Sequence, residues 1–158
     1  MAAGHNSMMA SAMPELVDAA EGLGVFDAGE RCGLGVHTLV ARTAHEAIHQ
    51  FNGIIGPELS QHTLQVGPGR HISGTRIIGY LSHSCDPNCR LDMDRFELVT
   101  LRDTPAGDAL TIDYAVTEDV LYRQFACHCG AANCRRWIIG RAEPMSAEGR
   151  AWLAEEGL

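Results

Sequence analysis

The chain has 158 residues, a formal charge of −8 and an apolar fraction of 46%. This length and apolar content predict a single domain with a packed core rather than a disordered protein. No run of about eighteen apolar residues occurs, which argues against a membrane-spanning helix. The acidic charge argues against direct nucleic-acid binding, because phosphate neutralisation requires a basic face.

The N-terminal residues 1–13 have no basic segment and no sustained apolar segment, so they do not resemble a secretory signal peptide. We interpret residues 1–25 as a leader followed by a short helix, since Pro14 suits a first helical turn and Leu16 and Ala20 fall on one face. With no secretory signal, clustered cysteines predict metal binding or catalysis in a reducing compartment, and we expect a cytoplasmic protein.

Alternating apolar residues separated by glycine and proline turns predict short strands at residues 47–51, 63–66, 96–101 and 110–112. Residues 120–123 are expected to form one helical turn. Ser146 is a suitable N-cap for a final helix that carries Trp152 and is closed by Gly157. Short strands with helices only near the ends indicate a mainly β domain.

Three cysteines stand close together toward the C-terminus, at Cys127, Cys129 and Cys134. Tetrahedral zinc requires four ligands, and a short loop rarely supplies all of them. We take Cys85 as the fourth ligand because the Asp-Pro-Asn turn that follows would present its thiol outward, with Cys89 and His128 as competitors. Cys32 is interpreted as a buried, small apolar residue. Four thiolates leave no open position, so the predicted zinc is structural.

Several motifs together resemble the SET-domain methyltransferases that carry a post-SET zinc loop. Residues 82–88 (Ser-His-Ser-Cys-Asp-Pro-Asn) are similar to the family's Asn-His-Ser-Cys-x-Pro-Asn. Residues 107–114 (Gly-Asp-Ala-Leu-Thr-Ile-Asp-Tyr) are similar to its Gly-Glu-Glu-Leu-Thr-x-Asp-Tyr, and residues 127–135 to its Cys-x-Cys-Gly-x-x-x-Cys-Arg. The Gly-Leu-Gly of residues 33–35 stands where the family has its first cofactor-binding Gly-x-Gly. The resemblance covers roughly residues 31–140.

The resemblance implies a mainly β, SET-domain (β-clip) fold of small sheets with a threaded pseudoknot, a post-SET zinc loop and short terminal helices. It places the SET domain at residues 26–115, the zinc-binding segment at 116–140 and a C-terminal helix within 141–158. The implied cofactors are S-adenosyl-L-methionine and structural Zn2+. The implied acceptor is a lysine-containing protein or peptide, with a small-molecule or carrier-bound amine as the alternative and a non-catalytic SET module as another.

Residue roles follow from the resemblance by position. Tyr114 is expected to be the catalytic tyrosine. The cofactor-binding residues are expected to be Gly33, Leu34, Gly35, Ser82, His83, Tyr114 and Trp137. The substrate channel is expected to include Phe51, His62, Tyr80, Ile112 and Tyr122.

The sequence also departs from the family pattern. Ser82 replaces an asparagine whose amide helps to bind the cofactor, and Gly79 stands where an arginine is common. Residues 52–78 are short, which leaves little room for the insert that shapes a peptide groove. Ile112 is smaller than the aromatic residue frequent at its position and has no hydroxyl, so we expect a roomy amine pocket that permits di- or trimethylation.

Overall fold

The computed structural model describes residues 15–27 and 33–158. Within them the chain forms thirteen short strands, two α-helices and one 3-10 turn at Ile78–Tyr80. The strands are β1 Glu15–Ala20, β2 Leu23–Asp27, β3 Leu34–Thr38, β4 Ala47–Gln50, β5 Ile54–Gly56, β6 Leu64–Gly67, β7 Arg70–Ser73, β8 Ser82–His83, β9 Cys89–Asp92, β10 Glu97–Thr100, β11 Thr111–Ile112, β12 Phe125–Ala126 and β13 Trp137–Ile138. The helices are α1 Tyr114–Thr117 and α2 Ala147–Glu155. The predicted mainly β domain of small sheets is confirmed.

The first sheet has the order β1-β2-β3 and corrects the N-terminal helix prediction. Strand β1 pairs antiparallel with β2 through a two-residue turn at Glu21 and Gly22. Both turn residues have positive φ, 54° and 76°, which is the geometry of a tight hairpin. Hairpin pairing therefore prevails over the helical spacing of Leu16 and Ala20. Pro14 and Cys32 lie outside the described residues.

Two further three-stranded sheets have the orders β4-β10-β9 and β5-β7-β6. Strand β10 is buried between its neighbours, with Leu98 fully inaccessible to solvent. The strands expected at residues 47–51, 63–66 and 96–101 are confirmed, with ends that differ by one or two residues. These sheets meet over one apolar core that includes Leu23, Ile48, Ile72 and Leu110.

A short parallel pair between β8 and β11 connects distant parts of the chain. Thr111 is paired with Ser82 and Ile112 with His83, so the chain that enters α1 runs beside β8. Asn88 secures this pairing, because its side-chain oxygen accepts the Thr111 N–H at 2.8 Å and its amide donates to Ala109 O at 2.8 Å. The pairing brings Tyr114 next to His83.

The C-terminal part contains the β12-β13 pair and helix α2. Ser146 caps α2 as expected, since its hydroxyl accepts the Gly149 N–H at 3.1 Å. The helical turn predicted at residues 120–123 is wrong: those residues form bends, and the helical turn lies earlier, at α1, where the Asp113 side chain caps it. In the part of the chain that is described, no helix has the length and apolar character needed to cross a membrane.

Candidate functional site

A cavity of about 730 Å³ lies where the start of β3, the loop before β6, strand β8, helix α1 and the cysteine loop meet. Residues widely separated in the sequence line it, among them Leu34, His62, Ser82, Tyr114 and His128. Its size is typical of a small-molecule site.

Tyr114 stands at the beginning of α1, and its ring is largely buried in the cavity wall. Its hydroxyl donates a hydrogen bond to the carbonyl oxygen of Leu81 at 2.5 Å. Burial raises the pKa of Tyr114 to about 12, and the negative charge of Glu118 adds to this effect. The hydroxyl is therefore protonated at neutral pH and acts as a donor.

His83 packs edge-on against Tyr114 and Phe125, with ring centroids 5.3 and 5.7 Å apart. Its Nδ1 accepts the backbone N–H of Tyr114 at 3.2 Å, and its Nε2 lies 3.4 Å from the Cys85 sulfur. Burial lowers the pKa of His83 to about 4, although Asp113 opposes the shift. A neutral ring with the proton on Nε2 satisfies both contacts, so His83 links the tyrosine to the cysteine cluster.

The four thiols predicted to bind zinc lie together in one group. The sulfur atoms of Cys85, Cys127, Cys129 and Cys134 are all within 4.8 Å of one another. The sulfurs of Cys85 and Cys127 are 3.9 Å apart, close to the edge of about 3.8 Å of a tetrahedral site with 2.3 Å Zn–S bonds. The cluster therefore fits a structural zinc ion.

The cysteine loop is attached to the β8 turn by two further contacts. The Asn133 amide donates to the Cys85 carbonyl at 3.0 Å, and the backbone N–H of Arg135 donates to the Cys85 sulfur at 3.4 Å. The competing ligands lie elsewhere. Cys89 is buried in the main core, where burial raises its pKa to about 12, and His128 faces the larger cavity.

Most of the residues assigned to cofactor binding line the same cavity: Gly33, Leu34, Ser82, His83 and Tyr114. Gly35 lies behind Ser82, where a Cβ on the glycine would be 3.3 Å from the Ser82 hydroxyl. Trp137 does not line the cavity. Its ring packs on Trp152 of α2 with a centroid distance of 5.9 Å, and its Nε1 donates to Gln124. Trp137 therefore packs against helix α2, and the cavity wall near the cysteine loop is formed by Phe125 and His128.

Three of the residues assigned to the substrate channel also line the cavity: His62, Tyr80 and Tyr122. The rings of His62 and Tyr80 are 4.7 Å apart. Gly79 allows this close approach, because a Cβ there would stand 2.6 Å from the His62 carbonyl oxygen. The arginine common in the family at position 79 does not fit this backbone.

The other two assigned channel residues lie outside this cavity. Phe51 is buried in the main core and packs edge-on against Phe96 at 5.7 Å. Ile112 is 1% exposed and borders a second cavity of about 610 Å³. Its side chain belongs to the main apolar core and not to the lining of the larger cavity. A roomy amine pocket set by Ile112 therefore has no support in this geometry.

Sequence reasoning missed Glu118 and Leu121, which line the cavity. Glu118 is 6% exposed, and its Oε1 accepts the backbone N–H of Gln65 at 3.0 Å. Burial raises the pKa of Glu118 from 4.5 to about 7. The sequence offered no signal for it, because the helical turn that Glu118 caps, α1, was not predicted.

Comparisons with known proteins agree with this geometry. The family model described as SET domain matches residues 27–115. Methyltransferase flvH of Aspergillus flavus is 33% identical over 144 residues, which cover 89% of this chain and 78% of that protein. Histone-lysine N-methyltransferase 2D of Homo sapiens is 35% identical over 82 residues, which cover 48% of this chain and 1% of that protein.

Solved structures with a similar fold include KRYPTONITE. Its complex with mCHG DNA and SAH gives a TM-score of 0.58 at 25% identity, over 73% of this chain and 28% of that chain. Its complex with mCHH DNA, H3(1-15) peptide and SAH gives a TM-score of 0.57 at 23% identity. This chain thus spans less than a third of the length of KRYPTONITE.

Proposed function

Because the chain belongs to the SET-domain family, we propose that it is an S-adenosylmethionine-dependent N-methyltransferase that acts on the ε-amine of a protein lysine. One observation carries the proposal: Leu34, Ser82, His83 and Tyr114, which lie in three distant parts of the sequence, line one cavity. Histone-lysine methyltransferases among its relatives and the SAH in a KRYPTONITE complex support the same activity.

The cofactor would be held by residues from β3, β8 and α1: Gly33, Leu34, Ser82, His83 and Tyr114. When bound, S-adenosylmethionine supplies an electrophilic methyl group on a sulfonium. The chain contributes glycine backbone for close approach and aromatic edges from Phe125 and His128. The zinc cluster fixes this wall, since Cys127 and Cys129 belong both to the cluster and to the cavity lining.

The acceptor amine would enter beside His62, Tyr80 and Tyr122. An amine must lose its proton before it can accept a methyl group, and an apolar channel lowers the pKa of an ammonium by desolvation. The Tyr114 hydroxyl and the Leu81 carbonyl are fixed to one another, so they can orient the amine and the transferred methyl without reorganising. Positioning is therefore the main contribution of these residues.

A small-molecule or carrier-bound amine is the second candidate acceptor. The observations in its favour are the short segment 52–78, which leaves little room for an insert that shapes a peptide groove, and the description of flvH, matched over most of both chains, as a methyltransferase without a stated protein acceptor. The proposal further includes a cytoplasmic, reducing setting, no membrane association and no direct contact with nucleic acid. The free thiols of Cys85, Cys89, Cys127, Cys129 and Cys134 support such a setting.

Transfer of labelled methyl groups tests the proposed function. The purified protein is incubated with labelled S-adenosylmethionine and, separately, with peptide, lysate-protein and metabolite pools. The chain contains no lysine, so self-methylation of a lysine side chain contributes no background. We expect label in the peptide or protein pool and a loss of about a hundredfold or more in Tyr114→Phe. Label confined to the metabolite pool would establish the second candidate, and cofactor binding without transfer to any pool would contradict both.

A further inference from the structure

Glu118 lies one helical turn after the proposed catalytic tyrosine. Glu118 is the C-cap of α1, and its backbone N–H donates to the carbonyl of Tyr114 at 2.9 Å. Both side chains line the larger cavity. Glu118 is only 6% exposed, and its negative charge is close enough to raise the pKa of Tyr114.

One oxygen of the Glu118 carboxylate accepts no hydrogen bond from the described residues. Oε1 accepts the Gln65 N–H at 3.0 Å, whereas Oε2 is buried and has no hydrogen-bond partner among the described residues. The neighbouring cation is engaged elsewhere, since Arg141 pairs with Asp119 at 2.7 Å and donates to Val116 O. Buried carboxylate oxygens without a partner are uncommon, because desolvation is costly unless a hydrogen bond compensates it.

We propose that Oε2 of Glu118 binds the ammonium of the methyl acceptor and takes its proton, an inference that rests on the proposed N-methyltransferase function. An ammonium is the donor that a buried, unpartnered carboxylate oxygen requires. The link to Gln65 places Glu118 beside β6 and the loop with His62, on the side of the cavity assigned to the acceptor.

The proposed step balances in protons and electrons. One N–H proton of the ammonium moves to Oε2, and its bonding pair stays on nitrogen as the lone pair. This lone pair forms the new N–C bond while the bond between methyl and sulfur breaks, and the electrons of that bond stay on sulfur. The carboxyl proton then leaves to solvent, which restores the carboxylate.

The electrostatic surroundings suit this role. Burial, and to a smaller extent the charge of Asp119, raise the pKa of Glu118 to about 7, against the opposing effects of the Gln65 hydrogen bond and Arg141. A general base works best when its pKa is near the working pH. Besides Tyr114, the other charged or titratable side chains that line the cavity are His62, Tyr80, His83, Tyr122, Arg123, Cys127, His128 and Cys129.

The pH dependence of kcat/KM separates this role from a structural one. With Glu118 as the proton acceptor, the ammonium form is the substrate, so kcat/KM should rise through about pH 7 and then level off. Glu118→Gln keeps an oxygen for the Gln65 N–H but cannot take a proton. Its kcat/KM should fall by about a hundredfold or more at pH 7, and it should climb roughly tenfold per pH unit toward the amine pKa of about 10.4.

A binding measurement gives a readout that is independent of turnover. n-Butylammonium is titrated into the S-adenosylhomocysteine-loaded protein by calorimetry, in two buffers of different ionisation enthalpy. The difference between the two binding enthalpies gives the number of protons exchanged on binding. At pH 7 the wild type should release protons, because the cation favours the ionised carboxylate. Glu118→Gln should release none and should bind the cation about tenfold more weakly or worse.

Asp119→Asn is the matched control, because it removes a neighbouring negative charge outside the larger cavity. It should still release protons on cation binding and show a kcat/KM that rises and levels off, with the rise moved to a slightly lower pH because Asp119 raises the pKa of Glu118. Equal pH profiles for wild type and Glu118→Gln, with equal n-butylammonium affinity, would overturn the role of Glu118 while leaving the N-methyltransferase function intact. A wild type that methylates no amine and does not bind n-butylammonium would overturn both.

Discussion

The cysteine cluster and the proposed acceptor end contribute residues to the same cavity, yet they are specified by the sequence in different ways. The cluster uses four identical side chains from a turn and a loop, and all four sulfurs converge as predicted. The acceptor end combines His62, Tyr80, Tyr122 and the unpredicted Glu118, and it excludes two of the five residues assigned to it.

The difference follows from what each site requires. A tetrahedral metal accepts only a few ligand types at one distance, so the chemistry of the cysteines reveals the site before the fold is known. A channel requires a shape, which many side chains can supply. The side chains that line a channel are selected by strand register and by packing partners such as Phe96. A sequence motif shows neither the register nor the packing.

The largest expected effect comes from breaking the cluster. Cys129→Ser should lower the zinc content from about one ion per chain to near zero, because structural zinc in small loops contributes on the order of 10 kcal/mol to folding. Cys127 and Cys129 line the cavity, so binding of S-adenosylhomocysteine should be lost too. Elemental analysis and calorimetry measure both effects.

Cys89→Ala is the control for the cluster, since Cys89 is a buried thiol that lies in the main core and not in the cluster. It should retain the metal and the cofactor affinity. A wild type purified without chelator that carries well under one zinc per chain would contradict the assignment, as would full zinc content in Cys129→Ser.

A core residue, Phe51, and a residue of the proposed channel, Tyr122, should respond differently to truncation. Phe51→Ala should destabilise the protein by about 3–5 kcal/mol through a core cavity, without a specific change in KM for the acceptor. Tyr122 is 61% exposed, so Tyr122→Ala should change stability by about 0.5 kcal/mol or less. It should nevertheless lower kcat/KM about tenfold through lost channel contacts.

Denaturant unfolding and steady-state kinetics at a temperature where both variants are folded measure this pair. If Phe51→Ala changed KM for the acceptor while Tyr122→Ala left kcat/KM unaltered, Phe51 would belong to the channel and the cavity lining would be misassigned.

The sequence predicts much of the fold because its signals are local and repeated. The strands around Leu98 and Ile48 follow from alternation, and the Ser146 cap follows from residue chemistry. The N-terminal helix prediction was wrong because a hairpin turn at Glu21 and Gly22 competes with helical spacing. Trp137 was placed over the cofactor because nothing in its motif shows that α2 returns to cover it.

The smallest expected effect concerns Ser82, where the chain departs from the family's asparagine. The Ser82 side chain borders both Gly35 and the larger cavity, so a longer amide at this position would reach toward the proposed cofactor site. One added hydrogen bond is worth about 0.5–1.5 kcal/mol, which corresponds to a few-fold to roughly tenfold in affinity. Ser82→Asn should therefore bind S-adenosylmethionine more tightly by this factor.

Ser82→Ala provides the baseline for this measurement, because it removes the hydroxyl without introducing a longer side chain. It should bind S-adenosylmethionine with an affinity within a few-fold of that of the wild type. The zinc content should be the same in all three proteins, since the Ser82 side chain lies outside the sulfur cluster. Calorimetry with each protein gives the order of affinities. If Ser82→Asn bound no better than Ser82→Ala, the amide would not reach the cofactor, and β8 would contribute mainly the backbone that pairs with β11. A tighter Ser82→Asn complex with unchanged acceptor KM would show that the proposed cofactor and acceptor ends of the cavity can be altered separately.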